Sequence, residues 1–101
     1  MYLIQLLLPL YDNEKRPFEQ QLLDGVRAEL IEKFGGVTAY RRSPAEGIWK
    51  EGGETSRDAI IILEVMADRL DRNWWKRYRA DLEKRFRQEE LVIRSTEMEK
   101  L

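Results

Sequence analysis

"RDAIIILEVM", Arg57 to Met66, is the stretch on which the fold turns. Its apolar residues occupy both sides of an extended chain: Ala59, Ile61, Leu63 and Val65 on one, Ile60, Ile62 and Met66, interrupted by Glu64, on the other. So dense a run of β-branched and aliphatic residues favours a strand, and a strand apolar on both sides has to be covered on both. A second stretch, "YLIQLLLPLY" (Tyr2 to Tyr11), has the same character. Tyr2, Ile4, Leu6 and Leu8 alternate with Leu3, Gln5 and Leu7 until Pro9 ends the run. It is too short to span a bilayer, is interrupted by Gln5, and has neither a basic leader nor a small-residue cleavage site, so it reads as a buried strand.

Helical periodicity marks the segments next to these strands. Phe18, Leu22, Val26 and Leu30 recur every four residues, and Leu23, Ile31 and Phe34 widen the stripe. With Pro17 suited to a first helical position and Gly35-Gly36 to a left-handed terminus, the spacing predicts an amphipathic helix of about five turns from Pro17 to Phe34. Trp74, Tyr78, Leu82 and Phe86, with Trp75 on the same arc, predict a second helix from Asp71, its N-cap, to Gln88. "EELVIRSTEM" (Glu89 to Met98) reads as the last strand.

The glycine-rich segment "FGGVTAYRRSPAEGIWKEGGETSRD" (Phe34 to Asp58) reads as a long bent hairpin. Val37 to Arg42 is its first strand, Ser43-Pro44 a bend, Gly47 to Lys50 a resumed extended run and Gly52-Gly53 the tip. A phosphate cradle needs glycines between a strand and a helix N-terminus; Gly35-Gly36 has the opposite polarity. The whole chain, 1–101, is therefore expected to be one α+β domain of β-α-β-β-α-β order. This is the ferredoxin-like plan, a four-stranded antiparallel sheet of order 4-1-3-2 with both helices on one face.

Composition excludes several chemistries. With no cysteine and no histidine, there is no disulfide, no thiol nucleophile, no histidine-based dyad and no imidazole or thiolate metal site. No metal or cofactor is expected, and a cytosolic location fits. A net charge of -1 provides no global field toward nucleic acid or membrane. Basic residues do outnumber acidic ones between Asp68 and Arg87, which could form a nucleic-acid stripe. Yet Arg77-Asp81, Asp81-Arg85, Arg79-Glu83 and Glu83-Arg87 all have the i,i+4 spacing of a salt-bridged, solvated helix.

If the helices cover Ile4, Leu6, Leu8, Ala59, Ile61, Leu63, Val65, Leu91 and Ile93, the other side of the sheet carries Leu3, Gln5, Leu7, Ile60, Ile62, Glu64, Met66, Val92 and Arg94. An apolar patch of this kind marks an interface or a ligand groove. Its polar exceptions, Arg94, Gln5 and Glu64, fall on neighbouring strands in the expected order. They are either the floor of a small-molecule pocket, with Glu64 the candidate base, or an interfacial ion pair that sets dimer register. Arg42 is a candidate anion grip, and Trp49 a candidate lid aromatic or a piece of core.

At "FGGVTAY", "GIWKEG" and "RFRQEELVI" the chain resembles a group of small bacterial proteins of unassigned function, in which an FGG-T turn precedes a Gly-x-Trp strand and RF-QE ends the second helix. At the level of fold it also resembles the dimeric α/β-barrel class that includes small-molecule monooxygenases, isomerases and dehalogenase-like proteins. The histidines used by many enzymes of that class are missing, and no catalytic residue carries over. The expectation is a homodimer that acts by binding or assembly through its open sheet face. The alternatives are a cofactor-independent enzyme or small-ligand sensor using that face, and a nucleic-acid binder using the second helix.

Overall fold

A computed structural model of the chain describes residues 1–42, 50–51, 54–55 and 59–101. In chain order the elements are β1 (Tyr2–Pro9), α1 (Gln20–Phe34), β2 (Thr38–Arg42), β3 (Lys50–Glu51), β4 (Glu54–Thr55), β5 (Ile60–Ala67), α2 (Arg72–Arg85) and β6 (Val92–Glu97). The two doubly apolar stretches lie side by side, β1 pairing antiparallel with β5 from Tyr2↔Ala67 to Pro9↔Ile60. β6 flanks β1 and β2 flanks β5, giving a four-stranded antiparallel sheet of order β2-β5-β1-β6. This is the ferredoxin-like arrangement expected from the sequence. A separate short pairing joins β3 to β4. The proposed bend at Ser43-Pro44, the extended run through Trp49 and the tip at Gly52-Gly53 lie outside the described residues.

One side of the sheet makes the core. Ile4, Leu6, Leu8, Ile61, Leu63 and Val65 are buried beneath Leu23, Val26 and Leu30 of α1 and Trp75, Tyr78 and Leu82 of α2, with Phe86 and Leu91 closing the end. Each such side chain contributes about 1.5–3 kcal/mol of burial, so this layer sets the side-chain parity of both central strands. Aromatic contacts fasten the helices and their flanks together: Phe34 stacks on Trp75 at 5.3 Å, and Phe18, just before α1, meets Phe86, just after α2, edge-on at 5.2 Å.

Three boundaries differ from expectation by three residues, each for a local reason. α1 begins at Gln20 instead of Pro17, because the preceding chain is clasped in another shape. Pro17 bridges to Tyr11, Phe18 N–H donates to the Leu10 carbonyl at 3.0 Å, and the Asp12 carboxylate accepts from the Glu14 and Arg16 amides at 2.8 and 2.9 Å. The helix is therefore about four turns long. α2 starts at its Asp71 cap, whose side chain accepts from Trp74 N–H at 3.0 Å, but ends at Arg85 instead of Gln88, since Arg87 takes the left-handed conformation at φ 51. The last strand starts at Val92 rather than Glu89, because Glu83 holds the Leu91 amide at 2.9 Å. The Gly35 terminus is as expected: φ is 83, and its N–H donates to the Ile31 carbonyl at 2.7 Å.

The helix surface is laced differently from its i,i+4 spacing. Arg85–Asp81 at 2.7 Å and Arg79–Glu83 at 4.0 Å form, but Asp81 has both oxygens on Arg85 rather than Arg77, and Arg87 turns to Asp12 at 3.8 Å. Arg85 also grips Glu29 of α1 with two hydrogen bonds of 2.7 and 2.9 Å, and Tyr78 donates its hydroxyl to the same carboxylate at 2.8 Å. The Arg85 hydrogen bonds, more than any other influence, hold the Glu29 carboxyl below its ordinary 4.5. A lowered carboxylate pKa contributes stability that is present above the ordinary value and lost as the pH falls through the lowered one. Glu29→Gln should therefore destabilise the fold by about 1 kcal/mol at neutral pH. In urea unfolding at a series of pH values the gap from wild type should close as the solution is acidified. A gap independent of pH would show that the carboxylate charge is not what the contact uses.

Candidate functional site

The sheet side away from the helices is built from four rows of opposed residues. Strand register aligns Arg94, Gln5, Glu64 and Thr38 in one row, and Val92, Leu7, Ile62 and Tyr40 in the next. Thr96, Leu3 and Met66 form a row on one flank, and Pro9 and Ile60 are paired on the other. The assigned parity holds, with the helix-side residues of β1 and β5 buried and this set left without a helix over it. Ile62 is 4% exposed, while Met66 and Val92 are each 49% exposed and Tyr40 is 47% exposed.

Across this apolar ground runs one connected polar chain. Arg94 donates its Nε to Gln5 Oε1 at 2.7 Å, and Gln5 donates its Nε2 to Glu64 Oε1 at 2.5 Å. The Tyr40 phenol stands near the end of this chain, and the negative charge of Glu64 raises it above its ordinary 10.0. Three adjacent strands, β6, β1 and β5, each contribute one hydrogen-bonded member, and Tyr40 belongs to the fourth, β2. The orientation of the Gln5 amide follows from its neighbours: a carboxylate only accepts and a guanidinium only donates, so the amide nitrogen must face Glu64 and its oxygen Arg94.

The structure thus brings together three of the residues singled out from the sequence, Gln5, Glu64 and Arg94, and adds Tyr40, which sequence reasoning had not joined to them. The pairing of β2 with β5 is what delivers Tyr40, and no local pattern in "VTAYRR" reveals that register. Arg42 closes β2 opposite Ile60, with its side chain outside the description, and Trp49 lies outside the described residues. β2 is a sheet edge, and exposed Arg41 puts a charge there of the kind that discourages edge-to-edge pairing.

Of two hollows, one lies away from this polar chain and the other meets it only at Arg94. One of about 650 Å³ is lined by Asp12, Arg16, Phe18, Arg85 and Arg87 beside the chain preceding α1. Its arginines are matched by carboxylates, with Arg16 at 3.2 Å from Glu14 and the others in the pairs described above. The second, of about 290 Å³, lies between α2 and β6 over Trp75 and Ile93. Arg94 lines the second, but neither is lined by Gln5, Glu64 or Tyr40.

No family model matches this chain, nor does any curated protein or solved structure. Among the described residues, no group of acidic residues is arranged to hold a metal ion, and no helix is long and apolar enough to cross a membrane. The open side of the central strands is aliphatic or polar, without the stacking aromatics of an RNA-binding sheet. Trp74 and Trp75 belong to the helix layer, Trp75 buried and Trp74 stacked on Tyr78 at 4.7 Å.

If Glu64 is what raises the Tyr40 phenol, Glu64→Gln should bring its titration back toward 10, followed through the tyrosine ring resonances with Tyr40→Phe as the assignment control. An unchanged titration would separate Tyr40 from the chain.

Proposed function

We propose that this protein acts by binding or assembly through its open sheet face, and that the first partner of that face is a second copy of the chain. The observation that carries this reading is the combination found there: exposed Met66, Val92 and Tyr40 surround half-buried Leu3, Leu7 and Ile60, while the charges among them are already joined by hydrogen bonds. Apolar surface gains from removal from water. Charges are the usual obstacle to burying such a surface, since an unpaired one is costly in a dry interface. Here Glu64 has a donor in Gln5 and Arg94 an acceptor in the same amide, so covering the face leaves neither without a partner.

The same geometry supports a positioning role for Glu64 over a role as base. Its Oε1 is engaged by Gln5, and neither hollow places a substrate-sized space against it. A cytoplasmic setting and the absence of intrinsic catalysis are consistent parts of this proposal.

Light scattering on the purified chain should return twice its 12.1 kDa mass at micromolar concentration. Met66→Glu combined with Val92→Glu, both at exposed positions, should give a folded species of single-chain mass. A wild-type protein that stays at single-chain mass would overturn self-association, and a dimer indifferent to both changes would place the interface elsewhere.

A further inference from the structure

Self-association through this face is the reading on which a finer inference rests, because the placement of the charges there selects the register. We infer that two copies meet about a two-fold axis running along β1 through Gln5, so that Arg94 of each copy pairs with Glu64 of the other. An isologous interface must be complementary to itself under a half-turn, and few axes satisfy that here.

Arg94 and Glu64 stand one strand to either side of Gln5, about 4.8 Å from it at ordinary strand spacing. A half-turn about the line of β1 exchanges the places of β5 and β6. It sets each Arg94 on the partner's Glu64, Val92 on the partner's Ile62, and Leu7 and Gln5 on their own counterparts. Charge thus meets opposite charge and apolar meets apolar, with the strands of the two sheets in the similar direction that aligned sheet packing prefers.

The other axes fail on the same residues. An axis midway between β1 and β5 brings the two Glu64 carboxylates about one strand spacing apart and leaves Arg94 opposite Thr38. An axis across the strands through the Gln5 row stacks Arg94 on Arg94 and Glu64 on Glu64. Shifted by half a row, it drives Glu64 onto the partner's Ile62 or Met66. Like charges juxtaposed, or a charge against apolar surface, are strongly disfavoured in an interface. Arg94 is also free to respond: among the described residues only its Nε is engaged, by Gln5, leaving its terminal amino groups to reach across. A guanidinium bridging two acceptors in this way binds with directional charge-assisted hydrogen bonds.

The test uses two single variants of the full chain, Glu64→Arg and Arg94→Glu. Each alone places like charges at both pairing points and should weaken the dimer roughly tenfold or more. Mixed in equal amounts they should form a heterodimer, seen by native mass spectrometry, because every pairing point then joins an arginine to a glutamate. Circular dichroism establishes that each variant is folded. Should either fail to fold, the neutral pair Glu64→Gln and Arg94→Gln supplies a second measurement, since the wild-type dimer should weaken with added salt and the neutral variants should lose that dependence. A wild-type dimer whose charge variants dimerise unchanged, or whose mixture forms no heterodimer, would overturn this register and leave self-association standing. A monomeric wild type would remove both.

Discussion

Two neighbouring strands that are apolar on both sides, in a sheet whose helices cover only one, are the constraint on which the rest of the structure depends. β1 and β5 put Ile4, Leu6, Leu8, Ile61, Leu63 and Val65 under the helices, and that burial holds the fold. The same alternation necessarily turns Leu3, Leu7, Ile60, Ile62 and Met66 the other way. A register slip of one residue would not relieve this, because it only exchanges one apolar set for another. What does distinguish the two sides is the polar row, which the helix layer could not accommodate: a glutamate and an arginine beneath Leu30 and Leu82 would be buried without water. Gln5 and Glu64 therefore help specify which side faces the helices.

That row has a second consequence. Isolated, Glu64 or Arg94 would make the open face costly to cover; joined through Gln5, they turn the charge into a directional feature. Buried polar groups of this kind add little net stability but can restrict how surfaces meet. The fold thus separates its two tasks by sheet side. Stability resides with the aromatic and aliphatic helix layer, reinforced by the Glu29–Arg85–Tyr78 contacts between α1 and α2. Recognition, in the proposed reading, resides with four rows of residues that contribute nothing to that layer.

Most of the architecture was legible in the residues because its signals are local and periodic. The four-residue recurrence of Phe18, Leu22, Val26 and Leu30 marks a helix, and two-sided apolar runs mark central strands. Asp71 and Gly35 were recognisable as termini because each meets a local backbone demand, a side-chain acceptor in one case and a left-handed conformation in the other. Pro17 misled for the converse reason: its φ suits a helix start equally well as the bridge to Tyr11, and only the Asp12 clasp decides between them. The polar trio was half legible, since alternation gives each residue its parity and the strand order gives its neighbours.

By itself, then, the sequence determined the element order, the faces of the helices and the parity of the central strands, because each of these depends on residues a few positions apart. Only the tertiary structure decided that Tyr40 stands near Glu64, that Arg85 reaches Glu29 of α1 as well as Asp81 of its own helix, and that Arg94, Gln5 and Glu64 stand in a single row. Those contacts join residues distant along the chain, and their alignment is set by how strands register against one another when the core closes. No spacing within a segment encodes that.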